Sequence, residues 1–400
     1  MKKYLVPLFV ILVAMTGLTS CTKEGAKLFE VQVNVVYPKG YDIGAVANLE
    51  VTIENTLTGQ ENTVTTNEFG VATIELEEGI YNISASTESD EFYFNGLHQN
   101  LTVQYVKNYW TLNLVASSKG GGLIFKEIYH AGSKTPAGGS YYSDQFHEIY
   151  NNSDEVQYLD GLCMGVLEPI GTSPSVWINN DGTLMDRMPV AFHSLMFPGT
   201  GHDYPLQPRT SVVVAQDAFN HKSDPNGNPL SPVDLGTAQF ETYIAAPGKD
   251  TDNPESDNMI VIYTTSATSY DWLCSVNGGA MILFRLPTGL DYATFVANPD
   301  NFMTKPGSTS TTKYLMVHKD WVVDGVDVNR GNEADRYKRI PNSVDAGMTW
   351  CSTSYNSKSV RRKVSRILDG KVIYQDTNNS TNDFITDWTP TPFIHPTEVD

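Results

Sequence analysis

The chain has 400 residues with 46 Asp and Glu against 27 Lys and Arg, a formal charge of −19. That balance disfavours nucleic acid as a partner, because phosphate binding rests on Lys and Arg displacing counterions. A content of 40% apolar residues supplies core enough for two domains.

The first element is an address. Lys2 and Lys3 precede an apolar run from Tyr4 to Gly17, and Leu18-Thr19-Ser20-Cys21 follows. A short basic stretch, a short apolar stretch and small residues before a cysteine read as a lipoprotein signal peptide over residues 1–20. Cys21 is the residue predicted to carry the lipid, with 21–27 as a tether. Several acyl chains at about 0.8 kcal/mol per buried CH₂ would hold the chain on a membrane without a spanning helix. No later apolar run has the length of a membrane span.

Residues 28–116 predict a small β-sandwich. Phe29, Val31, Val33 and Val35 alternate with polar residues, which turns one face of a strand inward. Strands follow at Val51 to Ile53, Val71 to Leu76 and Ile80 to Ala85, with Trp110, Leu112 and Leu114 closing the module. Val51-Thr52-Ile53, Asn55-Thr56, Thr58-Gly59, Thr65 to Ala72 and Glu78-Gly79-Ile80-Tyr81 together resemble the prealbumin-like modules of carboxypeptidase-regulatory and collagen-adhesin B type. The resemblance implies a spacer or interaction domain. Some relatives crosslink a lysine to an asparagine, and no lysine lies between Val31 and Val35 to do so.

Ser117-Ser118-Lys119-Gly120-Gly121-Gly122 reads as a linker, 117–122. The rest, 123–400, is again dense in strand formers and turn residues. Ile124 to Tyr129, Asp144 to Asn152, Tyr158 to Leu162, Phe197 to Thr200 and Leu206 to Ala215 resemble the strands and turns of a lamin-tail-like domain, an immunoglobulin-type sandwich. The fold class expected is therefore all-β, a prealbumin-like sandwich followed by an extended lamin-tail-like sandwich with long loops. Lipoproteins with this make-up resemble an uncharacterised surface family of Bacteroidota. That resemblance implies an outer-membrane, cell-surface location beside a TonB-dependent transporter.

Chemistry is sparse. Cys163, Cys274 and Cys351 lack zinc-type spacing and allow at most one disulfide, or three buried thiols. HExxH, GxSxG, Walker and dinucleotide patterns are absent. His147 and Glu148 are adjacent, and neighbours on a strand point to opposite faces, which argues against an acid/base pair. His193, His202 and His221 share a loop-rich stretch in which they could converge on a ligand or metal. Tyr141-Tyr142 beside Gly138 and Gly139 is the candidate aromatic platform, since ring faces stack on apolar ligand surfaces.

Two acidic stretches suit a hard cation such as calcium: Asp250, Asp252, Glu255 and Asp257, and Asp324, Asp327 and Asn329. Neither has the EF-hand pattern, and a solvated loop is the simpler account of both. Asp376 to Asp383 reads as a turn held by side-chain to backbone bonds. Arg361-Arg362-Lys363 reads as charge on a strand edge that blocks aggregation.

The expectation is a non-enzymatic lipoprotein that binds a ligand or docks on an uptake complex through its C-terminal loops. The alternatives are a hydrolase whose carboxylates meet only in the fold, and a structural or adhesive protein.

Overall fold

The computed structural model describes residues 27–400 except 39–40, 42–43, 90–91, 119–120, 246–247 and 273. Cys21 and the segment before it lie outside the described residues.

The first unit packs two sheets. One has strand order Val71–Glu77, Leu28–Val36, Lys107–Asn113, and the other has order Glu61–Thr65, Glu50–Asn55, Gly79–Glu88, Phe92–Val103, Val115–Ser118. Val31, Val33 and Val35 from one sheet meet Val51, Ile53, Ile83 and Phe94 from the other in a single core. The alternation along Leu28–Val36 produces this: every second side chain is buried while its neighbours stay toward solvent. The twelve-residue strand Phe92–Val103 has no clean alternation in sequence. It is admitted because Gly96 lets the sheets approach, where an added Cβ would lie 2.9 Å from both Leu112 and Leu114.

Residues 119–120 of the stretch expected as a linker lie outside the described residues, and the residues on either side of them are held by the fold. Val115–Ser118 pairs with Phe92–Asn95. Gly121 has φ +72°, and a Cβ there would overlap the Asn152 carbonyl oxygen. Asn152 N donates to Gly122 O at 2.8 Å, so the chain is fixed to the second unit as soon as it enters it.

The second unit is a larger sandwich. A seven-stranded sheet has order Asp257–Asn258, Phe240–Glu241, Ser211–Ala215, Phe146–Asn151, Leu123–Tyr129, Ser359–Arg362, Phe384–Trp388. An eight-stranded sheet runs Phe302–Thr304, Lys313–His318, Arg187–Met196, Cys163–Leu167, Gly279–Phe284, Val322–Arg330, Thr349–Cys351, with Ile260–Thr264 also paired to Arg187–Met196. Phe125, Ile149 and Val214 of the first meet Met164, Leu195, Met281 and Val326 of the second in the central core.

The outer faces are covered too. Tyr129, Phe146 and Val213 pack under Ala218, Val233 and Leu235 of the long loop, so central strands are buried on both sides. Lys126 and Glu148 are consequently a fully buried pair at 2.8 Å. Among the described residues the chain is nearly all β, an all-β sandwich fold.

Candidate functional site

Two of the expected sites change character. Asp324, Asp327 and Asn329 do not form a loop: they lie on the strand Val322–Arg330 and are buried. Asp324 is paired with Arg362 at 2.8 Å and accepts from Phe125 N at 2.6 Å. Asp327 is paired with Lys338 at 2.8 Å and accepts from the backbone of Arg339 and Ile340. Asn329 Oδ1 accepts from Tyr337 N and Arg339 Nη1. Their oxygens are occupied by the protein's own cations and amides. They staple the second unit together.

Arg361 and Arg362 are likewise not edge charge. Their strand Ser359–Arg362 lies between Leu123–Tyr129 and Phe384–Trp388, and both side chains are buried against Asp400, Asp324, Asp376 and Asp383. The turn before Asp383 has the expected side-chain to backbone bonds: Asp383 accepts from Thr377 N at 2.8 Å. Cys163, Cys274 and Cys351 are all free and buried.

The histidines do not converge. His193 is buried within the strand Arg187–Met196, and its pKa is lowered by burial. His202 is exposed and edges onto the Tyr158 ring at 4.6 Å. His221 is buried, its Nδ1 2.7 Å from the Tyr141 hydroxyl and its Nε2 3.0 Å from Asp217 O. Burial lowers its pKa to about 4. His147 packs into the core against Phe125 and Trp272, while Glu148 serves the other side of the strand, accepting from Phe393 N and Ser211 Oγ.

A different constellation does assemble. Asp217, Asp250 and Asp271, each half-buried, bring carboxylate oxygens within 4.8 Å of one another. Asp217 follows the buried strand Ser211–Ala215, Asp250 sits in the loop after the strand Phe240–Glu241, and Asp271 precedes the buried Trp272. Asp252, Glu255 and Asp257, the other members of the expected acidic loop, are exposed and lie outside this group. The loop is pinned by Asn253, whose N donates to Glu241 Oε1 at 2.6 Å.

Crowding is legible in the titration of the group. Burial, and then the Asp250 charge, pushes Asp217 up to about 8. The same two causes push Asp271 up to about 6. Asp250 is raised by burial, against backbone donors at Ile244 and Thr251.

Aromatic rings stand beside these carboxylates. Tyr142 and Tyr270 are each 37% exposed. Burial, followed by the charge of Asp271 and the proximity of Tyr270 and Tyr355, raises the Tyr142 pKa. Tyr355 is held close by its own N donating to Ala131 O at 2.6 Å, and Lys249 lies over the Tyr270 ring at 5.4 Å. Of the expected tyrosines, Tyr142 faces this patch, whereas Tyr141 is half-buried and tied to His221. Asp217, Asp271, Tyr270 and Tyr355 carried no sequence signal, because residues so far apart in the chain are united only by the fold.

A comparison with curated proteins returns no match. Residues 207–391 match the family model described as a protein of unknown function (DUF4876), a stretch that contains all three carboxylates. A crystal structure of a DUF4876 family protein from Bacteroides thetaiotaomicron is 30% identical, covers 93% of this chain and 98% of its own, and superposes with a TM-score of 0.63. Identity over nearly the whole of both chains, together with the match across the acidic group, makes this chain a member of the DUF4876 family.

Proposed function

We propose that the protein is a non-enzymatic binding protein, anchored in the outer membrane through Cys21, that captures a neutral, hydroxyl-rich ligand on the face around Tyr142, Tyr270 and Tyr355. The observation that carries this reading is the exposure of Tyr142 and Tyr270 next to Asp217, Asp250 and Asp271. Ring faces stack on the apolar faces of sugars, carboxylates accept their hydroxyls, and the negative charge turns anions away. The neighbouring transporter of TonB-dependent type, implied by the family resemblance, would receive what this face retains.

Affinity electrophoresis through gels containing neutral polysaccharides tests the reading. Retardation of the protein should weaken roughly fivefold in Tyr142→Ala and Tyr270→Ala, in line with about 1 kcal/mol per stacked ring. Equal mobility of wild type and both variants across the polysaccharides would sink it.

One observation favours a second reading. Asp217 keeps its proton to about 8 beside two further carboxylates, the division of labour by which a hydrolase separates general acid from base. Turnover of chromogenic glycosides that disappears in Asp217→Asn would choose the hydrolase over the binder.

A further inference from the structure

We propose that the end of the first unit at which the chain arrives from Cys21 docks on a lipid surface, with Leu57, Tyr105 and Val106 seated at the boundary between headgroups and acyl chains and Leu28 and Ile80 beside them. The proposal rests on the reading of Cys21 as the anchor and adds to it a second contact, made by the folded protein, with the same bilayer.

The strand register brings these residues to one end. Leu28 opens the strand Leu28–Val36 and faces Glu77, the last residue of Val71–Glu77. Glu30 faces Lys107, the first residue of Lys107–Asn113, so the turn bearing Tyr105 and Val106 lies next to Leu28. In the other sheet Gly79 faces Val103, the last residue of Phe92–Val103. Thr56 N donates to Ile80 O at 2.9 Å, which brings the turn bearing Leu57 to the same end. The bonds that tie the first unit to the second come from farther back along Phe92–Val103: Asn95 Nδ2 donates to Thr377 O, and Leu97 O accepts from Asn342 Nδ2 at 3.2 Å. The turn tips are left uncovered, with Leu57 83%, Val106 75% and Tyr105 64% exposed.

Both turns are held in shape from beneath. Buried Asn108 accepts from Gln104 N and Tyr105 N at 3.4 Å and donates to Tyr105 O at 2.9 Å and to Glu30 O at 3.3 Å. Asn55 Oδ1 accepts from Leu57 N at 3.0 Å and from Thr58 N at 3.1 Å. Turn tips usually carry Gly, Asn, Asp or Ser, so large apolar side chains at two fixed tips of one end need a partner to account for them. A tip already in its bound shape loses little freedom on contact.

The tether selects the partner. Cys21 and Leu28 are seven residues apart, which spans at most about 25 Å of fully extended chain. With acyl chains on Cys21 in the bilayer, Leu28 and its neighbours stay within that distance of the lipid surface. Tyrosine favours the headgroup level, while leucine and valine bury among the first acyl carbons. Charge does not drive the contact. Exposed Glu77 and Glu78 offset Lys27 and Lys107, and Lys107 is already paired with Glu30 at 3.2 Å. The surface that fits is therefore zwitterionic.

The experiment uses residues 22–400 with a polyhistidine tag in place of the lipidated cysteine, tethered to phosphatidylcholine vesicles that contain a little nickel-chelating lipid. An environment-sensitive nitrobenzoxadiazole label on Val106→Cys reads the contact; Cys163, Cys274 and Cys351 are buried and escape labelling. Tethering should shift the emission to the blue and expose it to quenching by lipids brominated in the acyl chains. The same label on Phe69→Cys, in the turn beside Val35 at the far end of the first strand, should keep its emission in water. A label on Ile80→Cys should shift too, and should lose the shift when Leu57→Asp and Val106→Asp are added, with an unchanged melting temperature showing that the unit is still folded. Emission at 106 that stays as it is in water would overturn the docking, as would a shift that appears only with anionic phosphatidylglycerol. A soluble chain that sediments as a dimer and becomes a monomer in Val106→Asp would give the patch to a second copy and overturn it as well. The tag bypasses the thiol, so these outcomes are independent of acylation, which labelling with palmitate reads separately.

Discussion

Arg362 grips Asp324 across the two sheets of the second unit, with Nη2 2.8 and 2.9 Å from the two carboxylate oxygens and both side chains buried. Asp324 belongs to the eight-stranded sheet and Arg362 to the seven-stranded one. The same guanidinium also reaches Asp376 and Asp383 through Nη1, at 3.1 and 3.3 Å.

Removing that guanidinium strands several carboxylates at once. Arg362→Met should cost about 3–5 kcal/mol, the range for breaking a buried ion pair by deleting one partner. Urea denaturation would show it as a lower midpoint. The double variant Arg362→Met with Asp324→Leu should recover part of the loss, because the buried charge goes with its partner. A single variant as stable as wild type would show that the pair holds nothing.

His147 supplies a pH test. Burial, reinforced by His130, holds its pKa at about 3, below the ordinary 6.5, so the folded state keeps it neutral. The unfolded chain takes up a proton as pH falls below about 6.5, and the stability that the neutral ring contributes is lost progressively from there toward pH 3. Between pH 7 and pH 5 the stability of wild type relative to His147→Gln should fall by about 2 kcal/mol, measured by urea titration at both pH values. A difference that does not change with pH would mean that the ring is charged in place.

The proposed anchor rests on one thiol. Cys21→Ala should abolish incorporation of radiolabelled palmitate and leave the chain uncleaved or soluble. Label retained in the variant would remove the assignment.

The two units should fold apart. Each has its own core, the first around Val31, Ile53 and Phe94, the second around Phe125, Met164 and Leu283. Fragments 27–118 and 121–400 should each melt cooperatively when expressed alone. A second fragment that shows no cooperative transition would mean that one unit needs the other.

Period-two alternation made the first unit legible, because its sheets each bury one face: Phe29, Val31, Val33 and Val35 are all core residues. The second unit hides that signal. Leu123–Tyr129 is buried at every position, so Lys126 and Glu127 look like surface residues and are not. The same effect turned Asp324 and Asp327 from an apparent acidic loop into strand residues, since a buried carboxylate with a paired cation has the sequence of an exposed one. Asp250 was recognisable as a candidate. Its partners at 217 and 271 were not, because no local spacing links them.

The strand Leu123–Tyr129 has one neighbour close by in the chain, Phe146–Asn151, and the other far away, Ser359–Arg362. Glu127 is met by the Ser359 hydroxyl across a separation of 232 residues. The middle of the seven-stranded sheet therefore stays open until the segment beyond 359 has been made. Pairings this remote slow folding, because the loop-closure entropy comes before any contact that offsets it. One edge of Leu123–Tyr129 in a newly made second unit thus stays unpaired while the strands before 359 are already in place, and that edge is sealed only after the late strand arrives.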